Sequence, residues 1–230
     1  MSALIFMKTI RTQAEAPGAP KLPTRGKRVE NKENTKQAIL EAALELFTGR
    51  GFAATTTKEI SRKAGIAEGT LFNYFRTKED LALYFMEREI AGLVQWFQQQ
   101  ERLPKAPLAE QLFAIIQHHL ERIGPYEDFI GAVYLRALQP SSKLSPLSLE
   151  RQEVNLRYLK FIRELLSAAE AKGEIPKVGD FGAYGFGLFH LAMITHWLHD
   201  RSSGKEETLA LLDRCLKIAT GLLAKGSWEW

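Results

Sequence analysis

Apolar residues at Ile39, Ala42, Ala43, Leu46 and Phe47 fall three and four positions apart, the spacing that draws one stripe along an α-helix. This helix is predicted from about Thr35 and ends in the glycines at 49 and 51. Thr56 and Glu59 then have the spacing of a capping box, in which hydroxyl and carboxylate take up backbone N–H groups that a helix start leaves unpaired. Ile60 and Ala64 supply the inner face of that short helix. Gly65 ends it, and Ile66 can plug the core in the turn before a third helix begins near Ala67. Thr77 with Asp80 repeats the cap for a fourth. Beyond residue 85 the pattern predicts five or six more helices, divided near 104–107, 124–125, 140–146, 173–180 and 202–204. No strand-like alternation competes, and there is no internal repeat, low-complexity tract or metal-ligand spacing. The expected fold class is all-α.

Residues 181–199 contain no Asp, Glu, Lys or Arg, which raises the question of a membrane span. The segment is interrupted by Gly182, Gly185 and Gly187 and carries Tyr184, Thr195 and three histidines, so a helix buried between protein surfaces is the better reading. Its apolar residues form two stripes, with Phe181, Tyr184, Leu188, Leu191 and Leu198 on one and Phe186, Phe189, Met193 and Trp197 on the other. The last helix is doubled in the same way: Leu209, Leu212, Leu216, Ala219 and Leu223 lie beside Leu211, Cys215, Ile218 and Leu222. A terminal helix has one face against its own subunit, so the second stripe predicts a homodimer through the last two helices.

Composition adds little until charge is divided along the chain. The net +4 is made up of +4 over residues 1–33, +1 over 34–85 and −1 over 86–230, so the basic excess is N-terminal, where a polyanion would be met. Residues 1–33, with Pro17, Gly18, Pro20, Pro23 and Gly26, read as a flexible basic arm. Arg25, Lys27 and Arg28 there either belong to a solvated tail or follow a phosphate backbone or minor groove. Met7 is a second candidate start. The first residues lack the basic start and apolar core of a signal peptide, and the one cysteine, Cys215, fits a reducing cytoplasm.

A capped helix, a glycine turn and a second short helix is the layout of a helix-turn-helix, whose second helix enters the DNA major groove. The run at 55–81, TTTKEISRKAGIAEGTLFNYFRTKEDL, resembles the DNA-binding segment of the TetR family position by position. The resemblance covers about fifty residues and implies three domains: a basic arm at 1–33, a three-helix DNA-binding domain at 34–85, and a helical ligand-binding and dimerisation domain at 86–230. It also implies that Lys58 and the hydroxyls of Thr56 and Thr57 meet phosphate, that Glu68, Gly69, Thr70 and Asn73 face base edges, and that Tyr74 and Lys78 touch phosphate. Leu71 and Phe75 would hold the recognition helix to its domain. These assignments suit the chemistry. Asn73 can offer donor and acceptor together to adenine, Thr70 a hydroxyl or methyl to thymine, and Gly69 a close backbone approach. Two residues depart from the family pattern: Ala67 stands where a capping serine is common and Phe72 where tyrosine is common.

By the same resemblance, the C-terminal domain holds a small-molecule pocket whose occupation releases a repressor from a palindromic operator. Trp96, Phe113, Tyr126, Phe129, Phe161, Phe189, Met193 and Trp197 are the expected lining, with Phe97 and Tyr134 beside them, although aromatics at helical spacing also serve as core. The expected effector is apolar or aromatic, and His118, His119, His190 and His196 are candidate polar anchors. No nucleophile elbow, P-loop or zinc spacing argues for an enzyme, and no metal or cofactor is expected. The competing reading is a helical dimeric adaptor that binds a protein partner without DNA.

Overall fold

The computed structural model describes residues 25–137, 139, 141–144 and 149–224, and the expectations placed on residues 1–24 lie outside them. Nine α-helices run through the described residues: α1 (Arg25–Arg50), α2 (Thr57–Lys63), α3 (Glu68–Phe72), α4 (Lys78–Gln98), α5 (Leu108–Ile123), α6 (Glu127–Ala137), α7 (Leu149–Lys172), α8 (Gly179–His199) and α9 (Glu206–Ala224). No strand is present among the described residues. The chain divides into two compact units, residues 1–37 and 38–230.

In the first unit the described residues are helical from Arg25, so the stretch expected to be loose up to residue 33 is not loose there. The reason is local. Prolines end at Pro23, and the polar residues that follow favour a helix without drawing an apolar stripe. Thr35 Oγ1 donates to Asn31 O at 2.8 Å, and Lys36 lies 3.8 Å from Glu33 one turn back.

In the second unit both expected capping boxes are formed. The Thr56 hydroxyl accepts from Glu59 N and the Glu59 carboxylate accepts from Thr56 N, with Thr77 and Asp80 doing the same at α4. Gly65 sits at φ +68°, a left-handed conformation that reverses the chain, and Ile66 N then donates to Ser61 O at 3.0 Å. Ile39, Ala43, Phe47, Ile60, Leu71 and Leu81 are completely buried by this arrangement.

One side chain carries that core into the rest of the unit. Phe129 of α6 stacks on Phe47 with ring centroids 5.0 Å apart and planes 15° from parallel, lies 5.8 Å from Phe52, and meets the edge of Phe85 of α4 at 5.4 Å. Ion pairs Arg136–Glu79 at 2.9 Å and Lys143–Asp80 at 2.8 Å tie α6 and the loop after it to the start of α4. Around α5, helices α4, α7, α8 and α9 bury Leu93, Ile115, Ile116, Ile162 and Leu212.

The doubled stripes resolve into an inner and an outer face. Phe186, Met193 and Trp197 of α8 are buried, whereas Phe181 is 86% exposed and Leu188 70%. On α9, Leu212 and Leu216 turn into their own subunit and Ile218 (62%) and Leu222 (51%) turn outward. Leu212 and Leu216 therefore hold the monomer fold, and the second stripe alone is free for a partner. No helix among the described residues is long and apolar enough to cross a membrane.

Candidate functional site

The helix-turn-helix presents a polar edge held from behind by apolar anchors. Leu71 and Phe75 are buried and fix α3 to the core, while Thr56, Lys58, Gly69 and Asn73 are exposed and Thr57, Glu68, Thr70 and Tyr74 are half-buried. Thr57 Oγ1 donates to Glu68 Oε1 at 3.1 Å, which sets the starts of α2 and α3 side by side. Glu68 thus has a partner inside the protein before any base is offered to it. Ala67 supplies no side-chain cap to α3. Asn73 is the C-terminal cap residue of this helix, and Tyr74 packs against the core. A Cβ built on Gly69 would meet nothing within 4 Å, so the protein itself does not require glycine there.

Two positions behave differently from their sequence reading. Phe72, a large apolar side chain that reads more readily as core than as a DNA contact, is 44% exposed on the outer side of α3. Lys78, expected at phosphate, turns inward: its ammonium donates to the carbonyls of Phe52 (2.8 Å), Ala53 (3.1 Å) and Thr55 (2.8 Å) and sits 5.0 Å from the Phe52 ring centroid. An ammonium has three hydrogens, and all are engaged. Partial burial also pulls its pKa below the ordinary lysine value.

Between α4, α5, α6, α7 and α8 lies a cavity of about 630 Å³, within the range of small-molecule sites. Its walls are mostly aliphatic, with Met86, Ile90, Ile123, Ile130, Val133, Leu159, Leu191 and Ile194 among them, and Leu156, Tyr184 and Leu188 are exposed at its rim. Of the ten residues expected to line a pocket, only Tyr134 borders it. Phe129 is in the stack on Phe47, Tyr126 meets the edge of Phe85, Phe161 that of Phe97, and Trp96 stacks on His118 at 3.8 Å. Met193 and Trp197 are buried, Trp197 beneath Lys205, and Phe113 and Phe189 pack against the core. Most of the large rings fill space elsewhere, and the void is left where mostly aliphatic side chains meet Phe85, Tyr134, Tyr158 and Tyr184.

Of the four candidate histidines, His119 and His190 border the cavity, 2.9 Å apart, and the Tyr158 hydroxyl is hydrogen-bonded to His190 Nδ1. Nothing in the sequence joins residues 71 positions apart. His196 pairs with Thr208 at 2.9 Å. Glu89 also borders the cavity and takes two bonds from Arg122, at 2.8 and 3.0 Å.

A profile described as bacterial regulatory proteins of the tetR family matches residues 39–85, the segment that carries this polar edge. These residues carry the DNA-binding segment of the TetR family. Among the relatives of this chain, the fatty acid metabolism regulator protein of Bacillus subtilis (strain 168) is 24% identical over 142 residues, 60% of this chain and 70% of that protein. The Thermus thermophilus repressor FadR in complex with lauroyl-CoA superposes with a TM-score of 0.62 at 22% identity, over 79% of this chain and 92% of that one. FadR from Bacillus subtilis in complex with stearoyl-CoA gives 0.60 at 20% identity, over 80% and 97%. These proteins are transcriptional regulators, and residues 39–85 give this chain the DNA-binding segment of a bacterial regulatory protein.

Proposed function

We propose that the protein is a repressor released from a near-palindromic operator when a long-chain acyl group, carried as an acyl thioester, fills the cavity. The observation that carries this reading is the cavity itself, whose walls are mostly aliphatic and which no lysine or arginine among the described residues borders. Flexible methylene chains suit such walls, in which aliphatic side chains outnumber the rings of Phe85, Tyr134, Tyr158 and Tyr184. The bound lauroyl-CoA and stearoyl-CoA of the two FadR proteins are ligands of that kind. A phosphate-bearing headgroup would stay outside, because burying charge without a partner is costly.

The operator is obtained by selecting bound fragments from random duplex DNA and titrated with saturated acyl-CoA thioesters of increasing length. Each added methylene should tighten ligand binding about fourfold, from about 0.8 kcal/mol per buried CH₂, until the cavity is full. Operator affinity should fall by a factor of about 5 to 150, the span of ordinary coupling energies. A series in which no chain length alters operator affinity overturns the acyl reading.

On the DNA side, Thr56, Thr57 and Lys58 are assigned to phosphate, and Glu68, Gly69, Thr70 and Asn73 to base edges. Phe72 joins them through apolar contact with a thymine methyl. That Gly69 has open space around it supports a constraint imposed from outside the chain. Asn73→Ala is expected to cost about 1–3 kcal/mol at particular positions of each half-site while sparing the others. Unchanged base preference in that variant would remove α3 as the reader.

The protein acts as a homodimer through the outer stripes of α8 and α9, with residues 34–85 on DNA and 86–230 holding ligand and partner. Exposed Phe181, Leu188, Ile218 and Leu222 support this assignment. Leu188→Asp with Ile218→Asp should give a folded monomer in sedimentation with weakened operator binding. A dimer that survives both changes places the interface elsewhere.

A further inference from the structure

We propose that Tyr158, His190 and His119 form a polar reader in the cavity wall, and that it selects a ligand with a neutral carbonyl oxygen rather than a bare carboxylate. The proposal rests on the acyl reading above and states which end of the acyl group is sensed.

Three helices supply the reader: His119 from α5, Tyr158 from α7 and His190 from α8, each at least nine-tenths buried. Counting protons fixes its direction. The phenol has one hydrogen, burial pushes its pKa up, and its only partner among the described residues is His190 Nδ1, so Tyr158 donates. A neutral His190 then carries its hydrogen on Nε2 and donates it to His119 Nδ1, 2.9 Å away. A neutral His119 in turn carries its hydrogen on Nε2, and no group among the described residues accepts it. Both imidazoles are kept neutral by burial, His119 with its pKa lowered to about 4. The chain therefore ends in one oriented N–H donor beside the cavity, polarised by two hydrogen bonds behind it.

Charge decides which acceptor suits that donor. Glu89 is the one charged residue that borders the cavity among the described residues, and its carboxylate is already satisfied by Arg122. A ligand carboxylate would meet a like charge and no cation, and would lose its hydration for a single neutral hydrogen bond. A thioester or ester carbonyl needs one donor, which is what His119 Nε2 provides.

The test compares lauroyl-CoA with S-dodecyl-CoA, a thioether in which a methylene replaces the carbonyl, by calorimetric titration of the unaltered protein. Methyl laurate against laurate forms the second arm and separates carbonyl recognition from contacts to the nucleotide. The thioester should bind about five- to tenfold tighter than the thioether, the worth of one hydrogen bond, and the ester tighter than the acid. His119→Phe should bring the thioester-to-thioether ratio near one while both still bind, and His119→Gln, which restores a donor, should recover part of it. Equal binding of thioester and thioether to the unaltered protein overturns the reader and leaves the acyl reading standing, and so does laurate binding tighter than its ester. If no lauroyl or dodecyl compound binds, the acyl reading falls and the reader falls with it.

Discussion

Phe129→Ala is expected to destabilise the protein by about 3–5 kcal/mol, the usual cost of emptying a buried phenylalanine site, and to lower Tm by about 10 °C for a chain of this size. The side chain is almost completely buried and touches three other rings from α1, the loop after it and α4. The residues next along α6, Ile130 and Val133, border the ligand cavity, as does Phe85. Phe129 is thus where the helix that walls the cavity meets the helix that opens the DNA-binding unit. A ligand that pushes on α6 has this stack through which to move α1. Phe129→Leu, which keeps most of the volume, should stay folded and reduce the ratio of operator affinities without and with ligand. A folded Phe129→Leu protein whose ratio matches the unaltered one would show that the coupling runs elsewhere.

Lys78→Ala is expected to act through folding rather than through phosphate. It leaves three carbonyls, on Phe52, Ala53 and Thr55, without their shared donor, and it removes the cation over the Phe52 ring. Hydrogen bonds to charged groups are worth about 1.5–3 kcal/mol each when made, and part of that returns as the carbonyls meet water, so a net loss of about 2–4 kcal/mol is expected. The measurable distinction lies in salt. A lost phosphate contact lowers the slope of log affinity against log salt by about 0.9 per contact. Lys78→Ala should instead lower Tm and weaken operator binding with that slope unchanged. A variant with unaltered Tm and a flatter slope would restore the phosphate role that the family resemblance implies.

The difference between these two lysine readings shows what a sequence can carry. Thr56, Glu59, Gly65, Thr77 and Asp80 act on backbone groups within a few residues, so their spacing alone announces α2, the turn and the start of α4. The two-faced α8 and α9 follow from periodicity for the same reason, whereas the anchoring of Leu71 and Phe75 was implied by the family resemblance. Lys78 reaches carbonyls more than twenty residues back, and nothing local distinguishes that reach from a reach toward DNA. The polar beginning of α1 has no stripe to betray it. The cavity was the least legible feature, because Met86 with Ile90, Ile130 with Val133 and Leu188 with Leu191 look like any core-facing helix stripe. Only the packing of five helices decides that a void lies between them. The aromatic residues drew attention by their size, yet of those expected in the lining only Tyr134 borders the cavity.

The cavity wall has two halves under unequal constraint. Phe85, Ile130 and Val133 adjoin the Phe129 stack, so a change of shape there is felt at α1. Leu156, Leu159, Leu191 and Ile194 belong to α7 and α8, away from that stack. Substitutions of similar volume in the second half cost little stability, since packed interiors tolerate shape changes better than lost volume. Effector preference can therefore drift by mutation on the α7–α8 side while the DNA response is inherited intact. A library randomised at those four positions should yield regulators that answer to new chains yet still recognise the parental operator.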